Sequence, residues 1–495
     1  MAHLIFETLS PLFVVFAAFL ALTTLRRLYF HKLKKFPGPR LAASSSLYKT
    51  YYEVVKGGEL LQHLVGLHAQ YGPVVRIAPN ELHFNSYLAY ADIYRAGSTF
   101  TKHGPFYKCF GADGSAFGAI DPQDSKRRRG VLNPFFSRRA ILNLEGVVQE
   151  KVDKLINCLT QRQQGKPVNM FLAFRCATMD IITSYSFAHC TNSLDAADFY
   201  DPLLVTIQTT IPLIWVIKML PFLVPCFSMI PEWFAKRLSP QLLAFSNLRK
   251  LIGVQIDKVL SGENLLESAD NLTIYHRLLK VPSGDDQPSL PTRRNLIEEA
   301  LSLLQAGSDT VGNTCTIGTF YALNDRTVRM KLFHELRDAW PDKNIPIGYC
   351  TAVIKESLRL SHGIVTPLPR VVGPIDTVIA GYAVPANAVV GVSATCIHND
   401  IEIFPEPQTF SPERWLQPYS RELDIHLVPF SRGPRMCLGI NLAWCELYLI
   451  FGNIFRKLEM NIHDTSIEDL RRFKEFFIPV HQGRQFHVVL KEESS

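Results

Sequence analysis

A short segment near the C-terminus carries residues whose types and spacing could bind a flat, anionic cofactor through sulfur. These residues are Phe430, Gly433, Arg435, Cys437 and Gly439, and a helical pattern begins directly after them. A cysteine at the start of a helix lies near unpaired backbone N–H groups, which favour thiolate over thiol. Gly433 permits a tight turn, Gly439 leaves space for a flat group, and Arg435 can pair with an anion. Considered alone, however, a single cysteine is more often a buried structural thiol.

Two further segments contain charged or polar residues on predicted helices. Glu356 and Arg359 lie three residues apart on a helix predicted over residues 347–360, so they share a face and can form an ion pair. A longer predicted helix, residues 295–323, contains Asp309 and Thr310 beside glycine and serine, where a buried helix should be apolar. This pattern predicts a local kink, and the alternative is a close packing contact at the small residues.

These segments together resemble the cytochrome P450 family. Residues 430–439 match its Phe-x-x-Gly-x-Arg-x-Cys-x-Gly haem loop, and residues 410–415 resemble the segment whose arginine, here Arg414, completes a buried network with Glu356 and Arg359. The resemblance implies that Cys437 is the axial ligand of heme b and that Phe430, Gly433 and Gly439 shape its loop. It also implies that Asp309 and Thr310 support proton delivery to dioxygen.

The resemblance also implies which cations contact the haem propionates, namely Arg435, Arg129 and Arg370. The family usually has an aromatic residue or histidine four positions before Arg129, and this chain has Ser125 there. That departure puts one hydrogen bond at the haem edge in doubt. We interpret His398 as a structural histidine and Cys445 as a core residue, because neither has the setting of a ligand.

Size and composition limit the possible folds and functions. The chain has 495 residues, of which 47% are hydrophobic, and no linker or repeat divides it. We expect one catalytic domain over residues 41–495, mainly α with a small β-rich lobe, as the resemblance implies. The net charge is +7, but the basic residues are dispersed apart from an N-terminal group and residues 126–129, which argues against nucleic-acid binding. The ten cysteines form no CxxC pair, which is typical of reduced thiols in the cytosol.

The N-terminus is predicted to be a membrane anchor. Residues 1–25 are nearly continuously apolar, and a basic, proline-containing linker over residues 26–40 follows. Roughly 20 apolar residues suffice to cross a bilayer, and basic residues after the span favour a cytosolic domain. We therefore expect a single-pass protein of the endoplasmic reticulum membrane, with Asn271 unglycosylated despite its acceptor motif. The alternative is a cleaved signal peptide, although the charges follow the apolar run.

Four segments are expected to face the substrate, by analogy with the family: residues 100–119, 303–310, 364–368 and 476–478. A proline-interrupted apolar stretch over residues 211–234 is too irregular for a spanning helix. It is either a membrane-touching lid that includes Trp215 and Phe222, or a pair of core helices.

The function implied by the resemblance is insertion of one oxygen atom from dioxygen into an apolar small molecule. The Phe-Pro-Gly-Pro elbow at residues 36–39 and the segments 133–137 and 306–310 look most like fungal secondary-metabolism oxygenases of the trichodiene-oxygenase type, which suggests a terpenoid or polyketide intermediate. Alternatives are a haem-thiolate isomerase or dehydratase, and a non-catalytic haem carrier or sensor.

Electrons must come from a partner, because no GxGxxG fingerprint for a flavin or nicotinamide is present. An NADPH-cytochrome reductase is the implied donor. The basic run at residues 126–128 is either a docking site for that reductase or a solvated helix face.

Overall fold

The protein is mainly helical. The computed structural model describes residues 2–161, 165–187, 190–220, 233, 237, 240–261, 274–278, 291–340 and 346–491. Within these residues we number the α-helices in chain order: α1 Ala2–Leu25, α2 Arg40–Ser44, α3 Leu47–Thr50, α4 Leu60–Tyr71, α5 Tyr87–Tyr94, α6 Gly104–Tyr107, α7 Pro122–Leu132, α8 Arg138–Gln161, α9 Met170–Phe187, α10 Pro202–Thr210, α11 Leu213–Met219, α12 Pro240–Leu260, α13 Ile274–Leu278, α14 Arg293–Asn324, α15 Arg326–Ala339, α16 Gly348–Ser361, α17 Ala394–His398, α18 Ser420–Asp424, α19 Ile440–Lys457 and α20 Ile467–Arg471.

The strands are short and form four small sheets within the described residues. They are β1 Val74–Ala78, β2 Glu81–Phe84, β3 Thr101–Lys102, β4 Val168–Asn169, β5 Arg370–Val371, β6 Thr377–Ile379, β7 Tyr382–Val384, β8 Val389–Gly391, β9 Met460–His463, β10 Phe473–Phe476, β11 Ile478–His481 and β12 His487–Leu490. The largest sheet has the order β1-β2-β8-β5-β3, and a three-stranded sheet has the order β4-β12-β9. The pairs β6-β7 and β10-β11 are hairpins. The predicted fold class, mainly α with a small β-rich lobe, is confirmed.

The long helix α14 runs through the main hydrophobic core, which it shares with α8, α9, α16 and α19. Glycine allows it to approach α9 closely. A Cβ atom on Gly307 would lie 2.6 Å from Cγ1 of Ile182, closer than real Cβ contacts. The predicted helix 295–323 corresponds to α14. Gly307 in its centre allows the close packing contact that was the alternative to a kink. The α-helix is unbroken through residues 305–310.

The N-terminal helix α1 continues as a π-helical turn, Arg26–Phe30. Residues Phe13–Phe30 have a mean hydropathy of 1.6 and are not buried against the protein, so this apolar helix is a candidate membrane span. Ala197–Met219 is also long and apolar enough, but a third of it is buried and it contains separate short helices. Asn271 lies outside the described residues.

The linker that follows the N-terminal helix is attached to the β-rich lobe. Leu33 is fully buried and Phe36 is 7% exposed, and both belong to the apolar core of the lobe. The backbone N–H of Arg76 in β1 donates to the carbonyl of Pro37 at 2.7 Å. Residues 33–37 therefore fix the direction from which the N-terminal helix reaches the domain.

Candidate active site

An internal cavity of about 360 Å³ lies between α14 and the loop that carries Cys437. All four segments that were expected to face the substrate contribute to its wall. Phe110 and Phe117 come from the first segment, Leu303 from α14, Ile364 from the third segment, and Phe477 from the β10-β11 hairpin. The lining is therefore mostly apolar, as a pocket for a small apolar molecule requires.

Cys437 lies on the wall of this cavity in a constrained loop. Its backbone N–H donates to the carbonyl of Phe430 at 2.7 Å, and its side chain is exposed to the cavity. Gly433 has a φ of +68°, and a Cβ atom there would lie 2.4 Å from the carbonyl oxygen of Tyr94. A Cβ on Gly439 would meet nothing within 4 Å. The loop thus leaves open space beside the sulfur atom, on the side of the cavity.

Burial and two neighbouring groups have opposite effects on the pKa of Cys437. Burial raises the pKa of the Cys437 thiol, whereas the backbone N–H of Gly439 and the positive charge of Arg129 both lower it. Burial has the larger effect, so the pKa is raised overall. The sequence predicted that the start of the following helix favours the thiolate. This effect on the pKa is smaller than that of burial, because α19 begins three residues after Cys437, at Ile440.

Four cations line the same cavity: Arg129, Arg370, Arg435 and Lys102. Arg435 donates to the carbonyls of Ala119, Ile120 and Asp121 at 2.8–3.1 Å. Arg370 donates to the hydroxyl of Tyr107 at 2.5 Å, and Lys102 donates to the carbonyl of Phe117 at 2.5 Å.

None of these cations forms a salt bridge with a carboxylate in the described part of the chain. Burial, followed by repulsion from Arg370, lowers the pKa of Arg435 to about 10. Burial together with Arg370, Arg435 and Arg129 also lowers the pKa of Lys102 well below its usual value. Buried positive charges that repel one another are unfavourable unless an anion joins them. A flat dianionic cofactor that is bound through sulfur fits this arrangement.

Outside the cavity wall, α16 carries a buried ion-pair network. Arg359 donates to both carboxylate oxygens of Glu356, at 2.8 and 2.9 Å, and Arg414 Nε donates to Oε1 at 3.0 Å. The indole of Trp415 and the backbone N–H of Ser411 also donate to this carboxylate, each at 2.9 Å. Glu356 therefore accepts five hydrogen bonds while it is fully buried.

The same network fixes the segment that follows α17. Arg359 donates to the carbonyls of His398, Pro407 and Thr409, at 2.9, 2.6 and 3.1 Å. His398 is fully buried, and its Nε2 accepts the backbone N–H of Val428 at 3.0 Å. The histidine thus occupies a structural position outside the cavity, as the sequence interpretation stated.

Asp309 and Thr310 lie on the cavity side of α14. The hydroxyl of Thr310 donates to the carbonyl of Ala306 at 2.8 Å. Asp309 is 3% exposed, and its Oδ1 accepts hydrogen bonds from Arg175 Nε at 2.6 Å and from Gln208 Nε2 at 2.5 Å. The two side chains therefore differ: Asp309 is held in a buried ion pair, whereas the Thr310 hydroxyl, among the described residues, forms a hydrogen bond only within its own helix.

The expectation of a membrane-touching lid is wrong for Trp215. This side chain is 1% exposed, packs against Phe106 and Phe476, and donates from its indole N–H to the carbonyl of Glu475 at 2.8 Å. The face of α11 that carries Trp215 therefore packs against the protein interior, because the indole finds both apolar contact and a backbone acceptor there. Phe222 lies outside the described residues.

Neither Ser125, which departs from the family pattern, nor the basic run at residues 126–128 has an unusual environment. Ser125 is buried, and its hydroxyl has no hydrogen-bond partner among the described residues. Arg127 and Arg128 pair with Asp124 at 2.6 and 3.0 Å, whereas Lys126 is exposed. Cys445 packs against the main core, as expected.

Sequence reasoning missed several polar residues of the cavity region. Glu299 and Glu446 line the cavity, and Arg175 pairs with Asp309. Lys102 also lines the cavity, and although the segment 100–119 was expected there, its charge was not singled out. A signal was available for Arg175, which is the only charged residue in the first ten positions of the apolar helix α9. The others could not be recognised, because nothing in the local pattern shows which face of a helix or strand lines a cavity.

Comparison with known proteins gives the same family throughout. Residues 41–484 match the family model described as Cytochrome P450. Cytochrome P450 monooxygenase MO6277 of Ascocoryne sarcoides is 34% identical over 92% of both chains. Cytochrome P450 monooxygenase macH of Penicillium terrestre is 32% identical over 97% of this chain and 96% of its own length.

A solved structure, that of the cytochrome P450DA heme domain, matches 92% of this chain and 98% of its own length, with a TM-score of 0.72 at 18% identity. That likeness confirms the fold. The chain therefore belongs to the cytochrome P450 family, as a haem-thiolate monooxygenase of the kind found in fungal secondary metabolism.

Proposed function

We propose that this enzyme hydroxylates or epoxidises an apolar terpenoid or polyketide intermediate in the biosynthesis of a fungal secondary metabolite. The observation that carries this proposal is the joint lining of one cavity by Cys437, the unpaired cations, Thr310 and a mostly apolar wall. An isomerase or dehydratase, or a haem carrier, needs no proton-donating group beside dioxygen. Thr310 on the cavity face of α14 therefore favours the monooxygenase.

Within this proposal, Cys437 is the axial ligand of heme b, and Arg129, Arg370 and Arg435 hold the propionates. Haem with a thiolate ligand supplies the activation of dioxygen. The cations suit the propionates because a carboxylate would relieve the repulsion that now lowers the pKa of Arg435. Phe430, Gly433 and Gly439 keep the sulfur atom accessible, through the backbone contact and the open space described above.

Asp309 and Thr310 are proposed to deliver protons. The hydroxyl proton of Thr310 points to the carbonyl of Ala306, so the lone pairs of its oxygen remain free for a proton donor in the cavity. Asp309 is kept in place by Arg175 and Gln208. The pair can therefore hold a proton at the Thr310 hydroxyl while the apolar wall excludes bulk water.

The family also requires a reductase as redox partner, dioxygen and a small-molecule substrate. We propose that the reductase is an NADPH-cytochrome reductase in the endoplasmic reticulum membrane. In this arrangement residues 1–25 span the membrane, residues 26–40 link the span to the domain, and residues 41–495 lie on the cytosolic face. The exposed apolar residues of Phe13–Phe30 and the basic residues at its end support this topology.

The decisive experiment combines membranes that contain this enzyme and a reductase with NADPH, ¹⁸O₂ and a panel of terpenoid and polyketide candidates. Mass spectrometry should detect a product that contains one heavy oxygen atom and forms only when NADPH is present. Conversion of a substrate without NADPH, or without incorporation of the label, would instead identify an isomerase or dehydratase.

A further inference from the structure

Glu299 is a buried carboxylate on the cavity side of α14. Its side chain lines the cavity, and the residue is 7% exposed. The backbone N–H of Ala116 donates to its Oε2 at 2.8 Å. Among the described residues, no hydrogen bond or salt bridge involves its Oε1. One carboxylate oxygen therefore fixes the loop around Ala116, and the other is available to a molecule in the cavity.

The preceding residue provides an internal comparison. Glu298 is 1% exposed, accepts the backbone N–H of Gly114, and pairs with Arg294 at 2.6 Å. It does not contribute to the cavity wall. Both glutamates thus hold the same loop through one oxygen, but only Glu298 has a protein partner for its second oxygen. Protein groups therefore satisfy both carboxylate oxygens of Glu298 but only one carboxylate oxygen of Glu299.

Glu299 lies far from the proposed site of oxygen activation. Glu299, Ser302, Ala306 and Thr310 all line the cavity, and their spacing places them along one face of the helix. Thr310 lies eleven positions after Glu299, which corresponds to about 16 Å along the axis of an α-helix. A group that binds Glu299 therefore belongs to the end of a substrate remote from the carbon that is oxidised.

On the basis of the function proposed above, we propose that Glu299 determines substrate specificity by accepting a hydrogen bond from a hydroxyl group on an otherwise apolar substrate. A buried acceptor without a partner is unfavourable, and a site built around one discriminates against molecules that lack the matching donor. Glu299 is the buried acceptor at the remote end of a mostly apolar wall.

The burial of the site favours a hydroxyl over an ammonium group. Burial raises the pKa of Glu299 to about 7, while the backbone N–H of Ala116 and the positive charges of Arg128 and Arg129 act in the opposite direction. A carboxyl group that is neutral for part of the time attracts a cation less than a full carboxylate does, and moving a cation from water into a mostly apolar cavity is unfavourable. A neutral hydroxyl avoids both effects.

The test uses the ferric holoenzyme and three probes of similar length: 1-decanol, decyl methyl ether and decyltrimethylammonium. Calorimetric titration gives a dissociation constant for each probe. The wild type should bind the alcohol about tenfold more tightly than the ether, as the net value of one hydrogen bond implies. It should bind the cation more weakly than the alcohol.

Two conservative substitutions separate recognition from loop support. In Glu299→Gln the amide oxygen can still accept the Ala116 N–H, but the amide nitrogen, a donor, then faces the cavity. The preference for alcohol over ether should disappear in this variant. Glu298→Gln is the matched control, because it makes the same change to the neighbouring residue outside the cavity wall. It should retain the preference of the wild type.

Each other outcome overturns the inference. A preference that persists in Glu299→Gln, or is absent from the wild type, shows that Glu299 only supports the loop. Tighter binding of decyltrimethylammonium shows that the site selects cations. The proposed monooxygenase function fails separately, through the absence of a thiolate-type carbon-monoxide difference spectrum from the reduced wild type, whatever the probes do.

Discussion

Two groups of buried charges in this protein differ in where their partners come from. Glu356 accepts five hydrogen bonds from neighbouring protein groups, including bonds from both Arg359 and Arg414. On the cavity wall, Arg129 and Arg370 have no carboxylate partner in the part of the chain that the structure describes. The first group completes its interactions within the polypeptide, whereas the second does not.

The difference separates charges that stabilise the fold from charges that bind a ligand. Removing one member of a satisfied buried network leaves the others uncompensated, which is strongly destabilising. Removing one of several cations that repel one another should hardly affect the protein without its ligand. It should weaken only the binding of the anion. The predictions below test this contrast, beginning with the largest expected effect.

Replacement of the proposed haem ligand should have the largest effect. Cys437→Ser replaces a thiolate with a poor iron ligand, so the red-shifted Soret band of the reduced carbon-monoxide complex should be absent. Cys445→Ser is the control, since that cysteine packs against the core, and it should retain the band. A normal band in Cys437→Ser would refute the assignment of the ligand.

Disruption of the satisfied network should affect both folding and haem content. Glu356→Ala should lower the free energy of unfolding by about 3–5 kcal/mol, because it leaves buried arginine charges without their partner. It should also prevent haem incorporation. Denaturant titration and haem quantification measure the two effects. The control Asp195→Ala removes a surface pair with Lys154, in which the aspartate is 61% exposed, and should change stability by about 0–1 kcal/mol. Normal haem content in Glu356→Ala would contradict this prediction.

Thr310→Val should reduce coupling without affecting the fold. The substitution removes the hydroxyl that is proposed to hold a proton, and product formed per NADPH should fall by about tenfold or more. Thr316→Val is the matched control, because Thr316 makes the same contact with the carbonyl four residues earlier but does not line the cavity. The ratio of product to NADPH consumed, measured with the substrate found by mass spectrometry, distinguishes the two variants. Equal coupling in both would remove Thr310 from the mechanism.

Arg129→Gln should produce the opposite pattern to Glu356→Ala. We expect the stability of the haem-free protein to be unchanged, and haem affinity to fall by about tenfold, as loss of one charge-assisted hydrogen bond implies. Competition for haem with apomyoglobin measures the affinity. Arg127→Gln, on the same helix but 56% exposed and paired with Asp124, should alter neither quantity. If the haem-free Arg129→Gln protein were as unstable as Glu356→Ala, the distinction between charges that stabilise the fold and charges that bind a ligand would be wrong.

The smallest effect is expected at the surface of α7. Lys126 is exposed and forms no salt bridge among the described residues, whereas Arg127 and Arg128 already pair with Asp124. Lys126→Glu should slow reduction by the reductase a few-fold at low salt, with the difference disappearing at high salt. Stopped-flow reduction at two ionic strengths measures this. An unchanged rate would identify the run as a solvated helix face.

The sequence predicted more about the site than about its surroundings. Cys437 and its glycines lie on one continuous loop, so their relation to one another depends on local chain geometry. The helices that carry Glu356 and Thr310 were placed to within two residues, because helical periodicity is also a local property. The sequence left the position of Trp215 open between a lid and core helices, because an apolar, proline-interrupted segment has the same composition at a membrane surface as inside a protein.

The sequence alone determined the family and the order of the elements around the loop, and it predicted Cys437 as the sulfur ligand, since these follow from the types and spacings of nearby residues. Only the tertiary structure decided that Asp309 pairs with Arg175 and that Glu299 faces the cavity. The partners in such contacts lie more than a hundred residues apart. Their meeting depends on how whole helices pack, and no local pattern contains that information.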